Sequence, residues 1–312
     1  MLFLSNDNYS CVSIFISREA ISMYLIILFV VIASMLVPAA TIYTWLRLQE
    51  KADRRTPLAD ALLRQPGETL TCKLRDTSFD LCALIFTSTV VPSIACICLL
   101  SAWVDPAKVR GDLLFWIMSI FILGSVVWSV MRALKVMNDL RVIKAGLEGE
   151  LATAQLLSPM LAEGWKLFHD IPGKRGNIDH VMVGPNGIFA IESKYRSKRR
   201  SQKGKESAMV EYDGKRLRFA SGTYETLPLE QAQATGSELA QALRGKLGHD
   251  VQVTPVVSLP GWFVRYTARP DPKAVGVVNP KSHGWFRQRP LSVTPELQVR
   301  VCAALSEMSV RD

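Results

Sequence analysis

The sequence predicts a mixed α/β domain preceded by a helical membrane region. Three observations carry that expectation. The first 135 residues contain three long runs without a charge. Beyond residue 145 the composition becomes that of an ordinary globular domain. There, strand-like runs broken by tight-turn residues alternate with amphipathic stretches at helical spacing. At 312 residues the chain has room for one large domain or two ordinary ones. Its formal charge of +9 favours polyanionic partners or an anionic membrane surface and does not choose between them.

Residues 1–19 read as an N-terminal tail and 20–135 as the membrane region. Spans are expected at about 20–46, 81–104 and 112–134, each reaching the roughly 20 residues that cross a bilayer core as a helix. Pro38, Pro92 and Gly124 are tolerated in such helices. Trp45, Trp103, Trp116 and Trp128 lie near run ends, where amphipathic rings anchor at the interface. The alternatives are buried helices of a soluble protein or, for the first run, a signal peptide; that run is long for one and little positive charge precedes it. Met23 is an alternative start. Seven Lys and Arg lie between residues 47 and 75 and four between 132 and 144, against only Lys108 and Arg110 in the second loop and Arg18 in the tail. The positive-inside rule then expects a multi-pass protein of the cell (inner) membrane, with the N-terminus outside and the C-terminal domain in the cytoplasm.

The six cysteines form no C-x-x-C pair, and the four histidines have no zinc-ligand spacing. "GLEGELATAQLL" (146–157) is an amphipathic helix that Ser158-Pro159 interrupts or kinks. "WKLFHD" (165–170) is a first strand, and "GNIDHVMVGPNGIFAIESKY" (176–195) a hairpin around Pro185-Asn186-Gly187. A second hairpin turns at Asp213-Gly214. Residues 228–248 form a helix between Pro228 and Gly248, 251–259 and 274–279 are strands, and Thr294-Pro295-Glu296 opens a last helix. The domain is placed at 145–265 and a C-terminal extension packing on it at 266–312.

The first hairpin carries Asp179, Glu192 and Lys194 among Val, Ile and Phe. If Gly184 pairs with Gly187, Asp179 sits opposite Glu192 with β-carbons about 5 Å apart, where like charges destabilise the pair. If Asn186-Gly187 are the central turn residues, Asp179 faces Lys194. A bulge at Gly187 places Ser193 opposite Asp179 and splits the set. Two carboxylates aimed at one point suit a hard cation, and a lysine beside them can position water and offset charge on a phosphate oxygen. The plain alternative is a solvated sheet face with an acid–lysine pair.

"GLEGE", "GNIDHVMVGPNGIFAIESK", "YDGKRLR" and "PLEQA" together resemble the nuclease-related domain (NERD) family over about residues 146–262. The resemblance implies a restriction-endonuclease-like fold of the PD-(D/E)XK kind, a mixed sheet flanked by helices. It also implies phosphodiester hydrolysis with Mg²⁺, or Mn²⁺ in its place. Asp179, Glu192 and Glu150 would be metal ligands, Lys194 the catalytic lysine, and Gln231 a further site residue of less defined role. Glu148 is the rival to Glu150 on the helix. His180, next to Asp179, should point to the opposite face as a core histidine.

The run "KYRSKRRSQKGK" (194–205) adds Arg196, Lys198, Arg199, Arg200, Lys203 and Lys205, with one acid-free stretch well suited to a phosphate backbone. A solvated loop or contact with anionic lipid are the other readings. The expected function is a membrane-anchored, Mg²⁺-dependent nuclease, with DNA as its foremost substrate. The rivals are a silent nucleic-acid tether and a membrane scaffold for a protein partner. Expected partners are nucleic acid, the lipid bilayer and, with nothing to favour or exclude it, a second copy of the chain.

Overall fold

The computed structural model describes residues 62–102, 113–197, 208–268, 271 and 274–310. The expected first span and the N-terminal tail lie outside the described residues, as do the loop at 103–112 and the basic residues Lys198, Arg199, Arg200, Lys203 and Lys205. The chain divides into two compact units, Met1–Ala59 with Thr77–Asn138, and Asp60–Asp76 with Asp139–Asp312.

Two long helices are described first, α1 (Glu68–Ala102) and α2 (Leu113–Leu157). Both are long and apolar enough to cross a membrane, and only 6% and 11% of their apolar windows are buried. The separate third span and amphipathic helix expected from sequence are one continuous helix. The connecting "RALKVMNDLRVIKA" (132–145) holds neither Gly nor Pro and is rich in helix formers. Ser158-Pro159 then tightens the chain into a 3₁₀ turn, Ser158–Glu163, closed by Gly164 at φ 86°.

The α/β unit follows, with β1 (Lys166–Ile171), β2 (Ile178–Gly184), β3 (Gly187–Ser193), β4 (Met209–Tyr212), β5 (Leu217–Phe219) and β6 (Tyr224–Glu225). Next come α3 (Leu227–Leu247), β7 (Val253–Ser258), β8 (Phe263–Tyr266), β9 (Gly276–Val278), α4 (Gly284–Arg287) and α5 (Pro295–Met308). Their strands make two mixed sheets, β1-β2-β3-β7-β9 and β6-β5-β4-β8. Each has three antiparallel strands continued by parallel pairing.

Alternation along β2 and β3 sends Val181, Val183, Ile188 and Ala190 into one core with Leu239 and Leu243 of α3 and Val301 and Leu305 of α5. Met182, Phe189 and Ile191 go into another with Leu157, Met160, Trp165 and Phe286. The second sheet buries Val210, Tyr212, Leu217 and Phe219 against Leu229, Ala232, Val257 and Val277. Short strands such as β6 and β8 carry too few residues for a readable alternation, so the second sheet is invisible as a separate layer in the sequence.

Residues 62–76 fall between two expected spans yet belong to the α/β unit. Asp170, only 3% exposed and at φ 51°, holds them there. It accepts from the Thr69 amide at 3.0 Å and the Thr69 hydroxyl at 2.7 Å, in the first turn of α1, and from Asn177 Nδ2 at 3.0 Å. Arg64 Nη1 stands 3.8 Å away. A carboxylate at a helix N-terminus satisfies donors that have no partner within the helix. Asp170→Ala removes these acceptors from buried donors and should cost about 2–3 kcal/mol, read as a lower urea midpoint by tryptophan fluorescence. A fragment starting at residue 139 should show the same loss.

Candidate functional site

The first hairpin takes the tightest of its three readings. Gly184 pairs with Gly187, and the ladder runs in register to His180 opposite Ile191. The ladder ends there, and beyond it Asp179 takes the Ser193 amide through its carboxylate. Contacts from the C-terminal extension explain the absence of a bulge. Asn186 Nδ2 donates to the carbonyls of Arg289 at 2.6 Å and Arg287 at 3.2 Å. The Pro185 carbonyl accepts from the Ser292 and Val293 amides at 3.0 and 3.2 Å. A Cβ on Gly184 would come within 2.2 Å of the Trp165 ring, so only glycine fits beneath it.

Glu150 comes from α2. Gly149, beside it, lets the helix approach the backbone at the end of β3: a Cβ there would sit 3.1 Å from Tyr195 Cβ and 3.3 Å from its nitrogen. One turn on, Thr153 Oγ1 and Ser258 Oγ share a buried hydrogen bond of 2.9 Å. The Lys194 amide donates to the Ser258 carbonyl at 2.9 Å. Helix, β3 and β7 are thereby fixed at one point. Glu150 is 8% exposed, whereas its rival Glu148 is exposed.

Glu150, Asp179, Glu192 and Lys194 all line one cleft of about 840 Å³, together with Tyr195, Arg196, Arg141 and Lys144. Lys194 Nζ donates to Glu192 Oε1 at 2.6 Å. Asp179 Oδ2 accepts from the Ser193 amide at 2.7 Å. Gln231 is not in this cleft; it lines a neighbouring cavity of about 350 Å³ that Glu192 also borders. Arg196 lines the cleft with its charge already paired, in a forked contact with Glu225 at 2.6–3.2 Å.

Residues 145–260 match the family model of the nuclease-related domain. They are a nuclease-related domain. No curated protein and no solved structure gives a match to the chain. The two long helices up to residue 144 and the extension beyond 260 lie outside the family match.

In this nuclease-related domain the acids burden one another. Burial pushes the Glu150 carboxyl up to about 7, with Asp170 and Glu192 adding to the rise and Lys194 and Lys73 opposing it. Asp179 is raised well above its ordinary range, first by burial, then by Glu192 and Glu150; the Ser193 amide and Lys194 pull it back. Sequence reasoning missed Asp170 and Lys73 because they join this field from elements outside the recognisable motifs. His180 is fully buried and bonded through Nδ1 to His169 Nδ1 at 2.8 Å. Burial holds both rings neutral, at about 3 for His180 and about 4 for His169.

Three carboxylates in one cleft are the donor chemistry a hard divalent cation requires. Among the described residues, however, no three acidic, His or Cys side chains already stand as a cage. Lys194 occupies one Glu192 oxygen. The donor chemistry suits a hard cation, while the described geometry gives one of its oxygens to Lys194.

Glu150, with its folded pKa above the ordinary 4.5, contributes stability that is complete below about pH 4.5 and lost as pH rises through 7. A shift of this size corresponds to about 3 kcal/mol. In EDTA, the urea midpoint should therefore fall between about pH 5.5 and about pH 8. Glu150→Gln should flatten that fall and be the more stable form at the higher pH.

Proposed function

We propose that the chain is a membrane-anchored, Mg²⁺-dependent nuclease that hydrolyses nucleic-acid phosphodiesters, DNA foremost, at the cytoplasmic face of the cell membrane. The observation that carries this reading is the convergence of Glu150, Asp179, Glu192 and Lys194 on one cleft of the nuclease-related domain. Asp179, Glu192 and Glu150 would hold the ion, with Mn²⁺ able to replace Mg²⁺. The ion would supply Lewis-acid stabilisation of the phosphate and a more acidic bound water. Lys194, released from Glu192, would orient the attacking water and offset charge on a phosphate oxygen. Gln231, which lines the adjoining cavity that Glu192 also borders, would be a further site residue. Arg196, with Lys198, Arg199, Arg200, Lys203 and Lys205 following it in the chain, would meet the phosphate backbone.

The closed Lys194–Glu192 pair favours a second reading, a silent domain that retains nucleic acid without cutting it. Cleavage of plasmid DNA by the detergent-solubilised full chain, with Mg²⁺ supplied and then chelated, separates the two. Glu192→Gln and Lys194→Met should each lower the rate about 100-fold or more, while retention of DNA in EDTA stays near wild type. Salt-sensitive retention with no cleavage by the wild type would select the silent reading. Mg²⁺ should also raise the urea midpoint more at about pH 8 than at about pH 5.5, since it competes with protons for the same carboxylates, and Asp179→Asn should remove that gain.

The apolar, largely unburied helices α1 and α2 support the membrane part of the proposal. The full chain should float with liposomes through a density gradient and resist carbonate extraction; recovery in the soluble fraction would exclude membrane anchoring.

A further inference from the structure

The outer face of the second sheet is not accounted for by the cleft. One face of β4, β5 and β8 is core, through Val210, Tyr212, Leu217, Val264 and Tyr266. The other carries a row of register neighbours across all four strands: Tyr224 beside Arg218, Arg218 beside Glu211, Glu211 beside Arg265. Phe263, two residues before Arg265 on β8, shares that face. A solvated sheet face is ordinarily polar. Here Tyr224 is 52% and Phe263 55% exposed, and neither is covered by the nuclease-related core.

The charges around these rings are organised. The Arg216 guanidinium lies 4.5 Å from the Tyr224 ring centre, and that of Arg218 lies 5.8 Å from it. Asp213 pairs with Arg216 at 3.1 Å, and Glu211 pairs with both Arg218 and Arg265. The guanidiniums of Arg216, Arg218 and Arg265 stand against the two acids Asp213 and Glu211, leaving the face positive. A depression of about 340 Å³ lies between Arg218 and Arg265. Glu225, next to Tyr224 on β6 but in register with the core residue Leu217 and so on the sheet's other face, takes a forked contact from Arg196, which lines the cleft.

We propose that this face binds single-stranded nucleic acid. Tyr224 and Phe263 stack unpaired bases, and Arg216, Arg218 and Arg265 meet the intervening phosphates. Exposed rings interleaved with guanidiniums on a sheet suit bases that have left a duplex. A duplex keeps its bases stacked inside and would use the cations alone. The binding does not depend on the nuclease reading.

The test uses the full chain in detergent with EDTA present and fluorescent strands of about 20 nucleotides, long enough to cover one such platform. Single-stranded DNA, single-stranded RNA and duplex DNA are compared by anisotropy. The double variant Tyr224→Leu with Phe263→Ala should bind single strands at least tenfold more weakly, with duplex affinity within twofold of wild type and an unchanged urea midpoint. Arg218→Gln with Arg265→Gln should weaken single-strand binding and flatten its salt dependence between about 50 and 200 mM. The DNA and RNA arms show which strand the platform prefers. Unaltered single-strand binding by the aromatic double variant, equal loss for single strands and duplex, or no single-strand binding by the wild type would each overturn the proposal. Absence of cleavage by the wild type in Mg²⁺ would overturn the nuclease reading alone and leave the binding result standing.

Discussion

Three carboxylates crowded at the end of a hairpin are the constraint around which the α/β unit is arranged. Two unit charges about 5 Å apart cost about 3 kcal/mol at an effective dielectric of 20, and burial adds a further penalty for each charge. Glu150, Asp179 and Glu192 bring three negative charges, and the bonded Lys194 returns one. The remaining deficit is carried by the Ser193 amide on Asp179, by Lys73 in the field of Glu150, and by a proton that Glu150 keeps up to about pH 7. Each of these is a partial substitute for positive charge in the cleft.

The scaffold answers that constraint with small residues and clamps. Gly149 costs helix stability, on the order of 1 kcal/mol relative to alanine, and in return brings Glu150 against the end of β3. The Thr153–Ser258 bond and the Lys194–Ser258 backbone bond then prevent the helix from backing away from the repulsion. At the other end of the hairpin, the extension from Arg287 to Val293 grips Pro185 and Asn186. That grip holds the turn in which Gly184 pairs with Gly187, from which the register of the hairpin is counted. A segment more than 100 residues downstream thus determines a contact that looks local.

This division explains what could be read from the sequence. The elements with strong local signals were legible: β2 and β3 through their apolar runs, α3 through Pro228 and Gly248, and α5 through the Thr294 cap, whose hydroxyl accepts from the Leu297 amide. Glu150 was legible over Glu148 only through its motif. The register was left open because Pro-Asn-Gly is compatible with several turns, and the contacts that choose among them come from the extension. Asp170 gave no signal at all, since an acid at the end of a strand looks solvated until its partners, Thr69 and Arg64, arrive from a hundred residues upstream. The outer row Tyr224–Arg218–Glu211–Arg265 was equally hidden, because it is assembled from four short strands and the β4–β8 pairing is non-local.

Asp170 also ties the domain to the topology of the chain. The segment 62–76 and the segment from 139 onward belong to one compact unit, with Thr77–Asn138 between them in a second. If α1 and α2 cross a bilayer, the chain leaves the α/β unit, crosses, and returns to it. Both basic stretches, before α1 and after the apolar part of α2, must then lie on the same side. The placement of Lys and Arg reaches the same arrangement by an unrelated route, since it needs only the cost of moving those charges across a membrane. One argument uses the hydrogen bonds of a buried aspartate and the other the composition of loops. The two arguments coincide only if α1 and α2 cross the bilayer, and they share no premise.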